Sequence, residues 1–377
     1  MRNGPEPAAW VEIDLDALGQ NYRETARRAG PEKLLIASIK ANAYGHGAVA
    51  CAERLAAEGA AMLATGDIAE AAAIREAGVD TRILMFGGFA PDSVDSILAH
   101  DLEPTVCNDE TVAAVARASR GSAPVHVKVD CGLGRLGVAL DEAESFILRV
   151  AGTPGVEVAG IYTHVPFFDD DGRAWAMARV ASFEAMLDRL SAAGLAVPMT
   201  QALASSALLC GDNDRTSAVC VGHILYGLSS MAPGLADMSA FHPVLRAVRA
   251  RLIHVAQHAA GRDVMIGGHY GLANAMTTGV APMGMQQGNR GTAPGQAAQA
   301  IVAGRRAPVM SVSLEHATLD LSRLRNAALG EIVTFLGAAG DDIISIEDLA
   351  AWQGRTPLET AMTFSGHLPI RHGAGSA

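Results

Sequence analysis

A lysine at the carboxyl end of an apolar run carries the first chemical signal in the chain. Lys40 closes Leu34-Leu35-Ile36-Ala37-Ser38-Ile39 and opens Ala41-Asn42-Ala43-Tyr44-Gly45-His46-Gly47. The run before it is too apolar for a solvated face, and the glycines after it let a bulky ligand approach the backbone. A single amine placed there suits a Schiff base with an aldehyde cofactor, in which a lysine condenses with a carbonyl group.

Other polar residues also stand where apolar runs end. Val125-His126-Val127-Lys128-Val129 leads into Asp130-Cys131-Gly132-Leu133-Gly134-Arg135-Leu136-Gly137, Gly160-Ile161-Tyr162-Thr163 leads into His164, and Ser205-Ser206 and Gly222-His223 follow. The runs alternate with helical patterns: 34–39 with 48–58, 61–64 with 67–77, 82–86 with 92–99, 125–129 with 141–150, and 156–162 with 174–193. That rhythm indicates a parallel barrel or an open doubly wound sheet. In a barrel the site lies where strands end, and the loops after the last two strands commonly grip a phosphate. The Ser206 hydroxyl and the backbone N–H groups of Gly222 and His223 are the expected cradle. Taken singly, each residue has a plainer reading: His164 a hydrogen-bonded core imidazole, Arg135 a salt bridge at the barrel mouth, Ser206 a helix cap.

From about residue 241 the texture changes to β-rich segments over 244–255, 309–314 and 331–335, with a late helix over 346–352. This predicts a second domain. The Gly-, Gln- and Ala-rich stretch 284–304 reads as a flexible loop or long hairpin, and 371–377 as a fraying end.

The chain has 377 residues, 50% of them hydrophobic and 18% charged, enough to bury one large core or two. Its net charge of −11 argues against a nucleic-acid or anionic-membrane partner, which needs clustered Lys and Arg. Cys51, Cys107, Cys131, Cys210 and Cys220 lack CxxC spacing, which fits reduced thiols in a cytoplasm better than a disulfide frame or a zinc site. A basic leader followed by an apolar stretch is missing at the start, and no run approaches bilayer length, so a cytoplasmic protein is expected.

Together, Trp10-Val11-Glu12-Ile13-Asp14-Leu15-Asp16-Ala17-Leu18, the Lys40–Gly47 signature, Lys128-Val129-Asp130 with Gly134-Arg135-Leu136-Gly137, Tyr162-Thr163-His164, Leu225-Tyr226-Gly227 and Ile346-Glu347-Asp348-Leu349-Ala350 resemble the alanine racemase family. The resemblance runs in order over nearly the whole chain. It implies a fold type III pyridoxal 5'-phosphate enzyme: a TIM-like (β/α)8 barrel over 12–238, followed by a C-terminal β-rich domain over 239–377 that residues 1–11 can join. It also implies a small amino-acid substrate and a head-to-tail homodimer in which each site is completed by the partner's β domain. In that reading Lys40 bears the cofactor, Tyr44 and Ser206 hold its phosphate, Arg135 faces the substrate carboxylate, and His164 lies beside the ring. Lys128 matches a lysine that can be carbamylated, and Leu314 joins the partner-side wall of the pocket.

The departures from the family carry equal weight. Its second base is a tyrosine in a Pro-x-Gly-Tyr-x-x-Gly segment, and here Pro282-Met283-Gly284-Met285-Gln286-Gln287-Gly288 places Met285 there. A thioether carries no proton. The family's arginine under the pyridine nitrogen aligns with Cys220, the histidine that supports it aligns with Gln201, and a phosphate-side tyrosine is replaced around Gly366-His367. Loss of that guanidinium changes how readily the ring accepts electrons. The leading expectation is therefore redirected chemistry: an aldol, retro-aldol or hydroxymethyl-transfer reaction on a β-hydroxy amino acid, with Lys40 at the Cα proton and His164 as base for the hydroxyl. The alternative is racemisation or epimerisation with a substitute acid among His269, Tyr270 and His316. A third reading is a non-catalytic protein that binds the cofactor.

Overall fold

The computed structural model describes residues 6–232, 234–324, 327–364 and 366–373, with Tyr270 described by its backbone alone. Apolar runs without polar alternation become strands covered on both faces. After β1 (Ala9–Asp14), these are β2 (Leu34–Ser38), β3 (Met62–Thr65), β4 (Arg82–Met85), β5 (Leu102–Val106), β6 (Ala123–Asp130), the two-residue β7 (Val138–Ala139), β8 (Val156–Tyr162), β9 (Met199–Gln201) and β10 (Ala218–Val221). They pair in the order β5-β4-β3-β2-β10-β9-β8-β6, all parallel, and β6 returns to β5. This closes an eight-stranded barrel with no exposed edge, while β7 pairs with the end of β6. Ile36, Met62, Ala64, Leu84, Tyr162, Met199 and Ala218 pack as one of its core clusters.

Helices fill the crossovers, as parallel pairing requires. The long one spans Asp170–Ala192 and begins earlier than its apolar spacing predicts, because the Asp169 carboxylate accepts the Gly172 N–H at 2.8 Å and caps it there. Helices Leu15–Ala29 and Asp109–Ala118 occupy stretches for which the apolar spacing predicted none.

The chain divides into a barrel unit, residues 17–43 and 47–242, and a β unit, residues 1–16, 44–46 and 243–377. In the β unit, β11 (Leu245–Arg251), β12 (His254–His258), β15 (Met276–Ala281), β16 (Gln299–Val302), β17 (Arg305–Val312), β18 (Ala317–Asp320), β19 (Ile332–Ala339) and β21 (Ile370–Gly373) form one sheet with β1. Its order is β12-β15-β18-β17-β16-β19-β11-β1-β21, with β20 (Asp342–Ile344) attached to β19, and β13 (Asp263–Met265) with β14 (His269–Gly271) forms a separate hairpin.

Two sequence expectations are corrected here. Residues 371–373 do not fray: they pair parallel with Glu12, Ile13 and Asp14, and 374–377 lie outside the described residues. The 284–304 stretch is neither a plain loop nor one hairpin. It holds a 3-10 turn at Met285–Gln287 and strand β16, where the apolar run Ala300–Val302 is buried and the strand pairs with both β17 and β19. Among the described residues no helix is long and apolar enough to cross a membrane.

Candidate active site

Lys40 follows β2 and begins an unusual turn. Ala41, Asn42, Ala43 and Tyr44 have φ of 54°, 55°, 52° and 53°, four successive left-handed residues, none of them glycine. Each such residue costs about 1–2 kcal/mol, so the turn persists only where hydrogen bonds hold it. The Ala43 N–H donates to the Ile39 carbonyl at 2.8 Å, and the Gly47 N–H to the Asn42 carbonyl at 3.0 Å. The Ala48 N–H donates to Asn42 Oδ1 at 2.8 Å, and the Asn42 N–H to Glu70 Oε1. Glu70 Oε2 also accepts the Thr65 hydroxyl at 2.9 Å. Tyr44 ends the turn with a buried side chain.

Around Lys40 the ends of several strands bring charge together. The Lys40 amine lies 5.6 Å from the centre of the Phe86 ring, and the Lys128 amine 5.2 Å from that of Tyr162. The Tyr162 hydroxyl and Thr105 Oγ1 share a hydrogen bond of 2.7 Å. Burial lowers the Lys40 pKa, Arg135 lowers it further, and the Cys220 thiol opposes them. Burial, with Arg135 adding to it, brings Lys128 down to about 8. His164 is held neutral, its pKa lowered to about 3 by burial and then by Lys128, Lys40 and Arg135. Burial also pushes the Cys220 thiol up to about 11. Lys40, Lys128, Arg135, His164 and Cys220 thus form one electrostatic cluster.

Arg135 reaches this cluster from an exposed loop held by one carboxylate. Asp130 accepts the N–H groups of Gly132, Leu133, Gly134 and Arg135 at 2.7–3.2 Å, and these bonds hold its pKa down against burial. Gln201 and Cys220 meet at one acceptor: the Gln201 amide donates to the Leu203 carbonyl at 2.8 Å, and the Cys220 N–H to the same oxygen at 3.2 Å.

Members of the expected phosphate cradle have hydrogen-bond partners within the chain. Ser206 is buried, and its Oγ accepts the Phe167 N–H at 3.4 Å, while the cap position of its short helix is Ala204. The Gly222 N–H is already engaged, donating to Ser205 Oγ at 3.1 Å. Ser205 and not Ser206 therefore faces that N–H. The His223 imidazole donates from Nδ1 to the Leu228 carbonyl at 2.8 Å, which leaves Nε2 to accept the Ser230 hydroxyl at 3.2 Å. It is a neutral hinge between two segments.

In the β unit, Met285 and Leu314 come together. The Met285 N–H donates to the Ser313 carbonyl at 2.9 Å and the Gln286 N–H to the Leu314 carbonyl at 2.8 Å. A Cβ at Gly284 would lie 2.5 Å from backbone atoms of Glu315 and His316, and one at Gly288, where φ is +92°, 2.1 Å from the Thr363 carbonyl. Both glycines are thus required by contact, which leaves Met285, 42% exposed, as the presented residue, beside Leu314 at 73%. His316 follows on the same turn, whereas the exposed His269 sits in the β13–β14 hairpin, 3.8 Å from Asp263. Gly366 and His367 are exposed.

Converging cations that depress one another's protonation are suited to anions, and a half-buried amine of lowered pKa is suited to a carbonyl. The donor set therefore fits a phosphorylated aldehyde and an α-carboxylate. Two contributors carry no sequence signal of this role: Phe86, which looks like one more strand residue, and Glu70, which looks like first-turn charge behind the Asp67 cap.

Family comparisons extend the geometry. The family model described as "Alanine racemase, N-terminal domain" matches residues 13–230, and "Alanine racemase, C-terminal domain" matches 245–372. An alanine racemase of Synechocystis sp. is 31% identical over 365 residues, covering 96% of this chain and 98% of its own. One of Nostoc sp. is 30% identical over 368 residues, covering 96% and 95%. The solved alanine racemase of E. faecalis superimposes with a TM-score of 0.87 at 27% identity, covering 99% of this chain and 100% of the other.

Proposed function

This chain belongs to the alanine racemase family, and on that premise we propose that it moves the Cα proton of a small amino acid, racemisation being the net reaction. Enzymes of this family use pyridoxal 5'-phosphate and act on a small amino acid. When bound, that group stabilises negative charge at Cα by accepting the electron pair.

The observation that carries the reading is the lowered basicity of Lys40 within the Lys40–Lys128–Arg135 cluster. A lysine whose basicity is lowered can more readily both bond a carbonyl and shuttle a proton. Arg135 holds the α-carboxylate, which keeps that bond from breaking. Tyr44, the Ser206 hydroxyl and the backbone N–H of His223 hold the phosphate, the Gly222 N–H being engaged by Ser205. A homodimer completes the site, the partner's β unit presenting Met285 and Leu314.

Racemisation replaces the aldol reading that Met285 and Cys220 suggested. Aldol cleavage asks an imidazole to take a hydroxyl proton, and His164 with a pKa of about 3 is a poor acceptor for it. Met285 still leaves one face without its usual acid, so proton exchange on the Lys40 face outpaces inversion. His316, beside the Met285 turn, is the candidate substitute.

The test is incubation of single enantiomers of alanine and serine in deuterium oxide, followed by NMR and chiral chromatography. Deuterium enters Cα first, and the opposite enantiomer accumulates more slowly. Aldehyde released from serine or threonine without Cα labelling would restore the aldol reading, and an inert loaded protein would leave only cofactor binding.

A further inference from the structure

The left-handed turn after Lys40 is tied from outside by the Glu70 side chain. Asn42 is half-buried in mid-turn, and its N–H points to Glu70, a residue of the helix Ile68–Glu76 that follows the neighbouring strand β3. Glu70 is fixed in turn by the Thr65 hydroxyl at the end of β3, at 2.9 Å, and its own N–H is tied to Asp67 Oδ1 at 3.1 Å. Three further local bonds stabilise the turn from within, through Ile39, Asn42 and Ala48. The bond to Glu70 sets the turn against a different β/α unit.

We propose that Glu70 is a positioning residue for Lys40: braced by Thr65, its carboxylate locks the left-handed turn and so aims the lysine side chain. The proposal rests on the reading of Lys40 as the proton carrier. Two features separate it from a purely structural role. A carboxylate, here half-buried, on a backbone N–H makes a charge-assisted bond, stronger than the neutral bonds within the turn. That bond also falls two residues from Lys40, in a segment whose relaxed state for L-residues is another conformation, so its loss displaces the lysine rather than unfolding the barrel.

The experiment uses the full-length protein loaded with pyridoxal phosphate, as parent, Glu70→Ala and Glu70→Gln. Hydrogen–deuterium exchange of the 40–48 segment reads the turn without reference to turnover. In Glu70→Ala the Asn42 amide exchanges about tenfold faster or more, the visible cofactor absorbance shifts its pH midpoint, and kcat for Cα exchange falls about 10- to 100-fold with KM little changed. Glu70→Gln, which keeps an acceptor for the Asn42 N–H, recovers most of each. If Glu70→Ala does not fold, Thr65→Val loosens the brace and shows the same pattern at smaller amplitude. Unchanged Asn42 exchange overturns the proposal, as does faster Asn42 exchange with unaltered kcat. If the parent itself catalyses no Cα exchange, the proposed reaction fails, while amide exchange and the absorbance midpoint still decide the role of Glu70.

Discussion

The two turns that matter most for this site are built in opposite ways. After Lys40, four residues with side chains are forced into the left-handed region and held there by hydrogen bonds from Glu70, Asn42 and Ile39. At Pro282–Gly288, glycines occupy the positions that no Cβ can enter, and Met285 is left at the surface with nothing dictating its identity. The first turn stores strain around a residue that must not move. The second makes room cheaply around a residue free to change. A chain can therefore hold the residue before the first turn fixed while position 285 changes without disturbing the fold.

Four substitutions sharpen this contrast, beginning with the largest effect. Lys40→Ala removes the proton carrier and lowers Cα deuterium uptake by about 10²- to 10⁴-fold, with little change in melting temperature. Gly288→Ala drives a methyl group into the Thr363 carbonyl at a positive φ and destabilises the protein by about 3 kcal/mol or more, seen as an earlier thermal transition. Met285→Tyr restores an acid on the second face and raises the ratio of alanine inversion to Cα exchange about tenfold, by chiral chromatography against NMR. Ala41→Gly relieves one strained residue but gains unfolded-state entropy, so stability shifts by less than about 1 kcal/mol. A large loss in that last variant would show that the turn is not strained.

Much of the barrel was legible because its strands are uninterrupted apolar runs and its polar residues stand at their ends. Lys40, Lys128, Arg135 and His164 could be named from position, and Cys220 only from the family resemblance. Their mutual influence could not. The lowered pKa of His164 comes from burial first and then from Lys128, Lys40 and Arg135, which separate β/α units bring near it. Glu70 was hidden for a related reason: its partner lies 28 residues away, and within its own helix it resembles ordinary first-turn charge. The pairing of Ser205 Oγ with the Gly222 N–H was hidden as well, because the two residues lie 17 apart and adjacent hydroxyls cannot be told apart by type. In the β unit, a parallel pairing between β1 and β21 leaves no trace in local spacing.

That pairing bears on how the molecule assembles. Strand β1 lies between β11, antiparallel, and β21, parallel, so one of its two hydrogen-bonding flanks is supplied by Ile370–Gly373. During synthesis the barrel can close once β10 has emerged, whereas Ala9–Asp14 must wait until Ile370–Gly373 has been made before its second neighbour exists. Until then it presents an unprotected row of amides and carbonyls, open to chaperones or to other nascent chains.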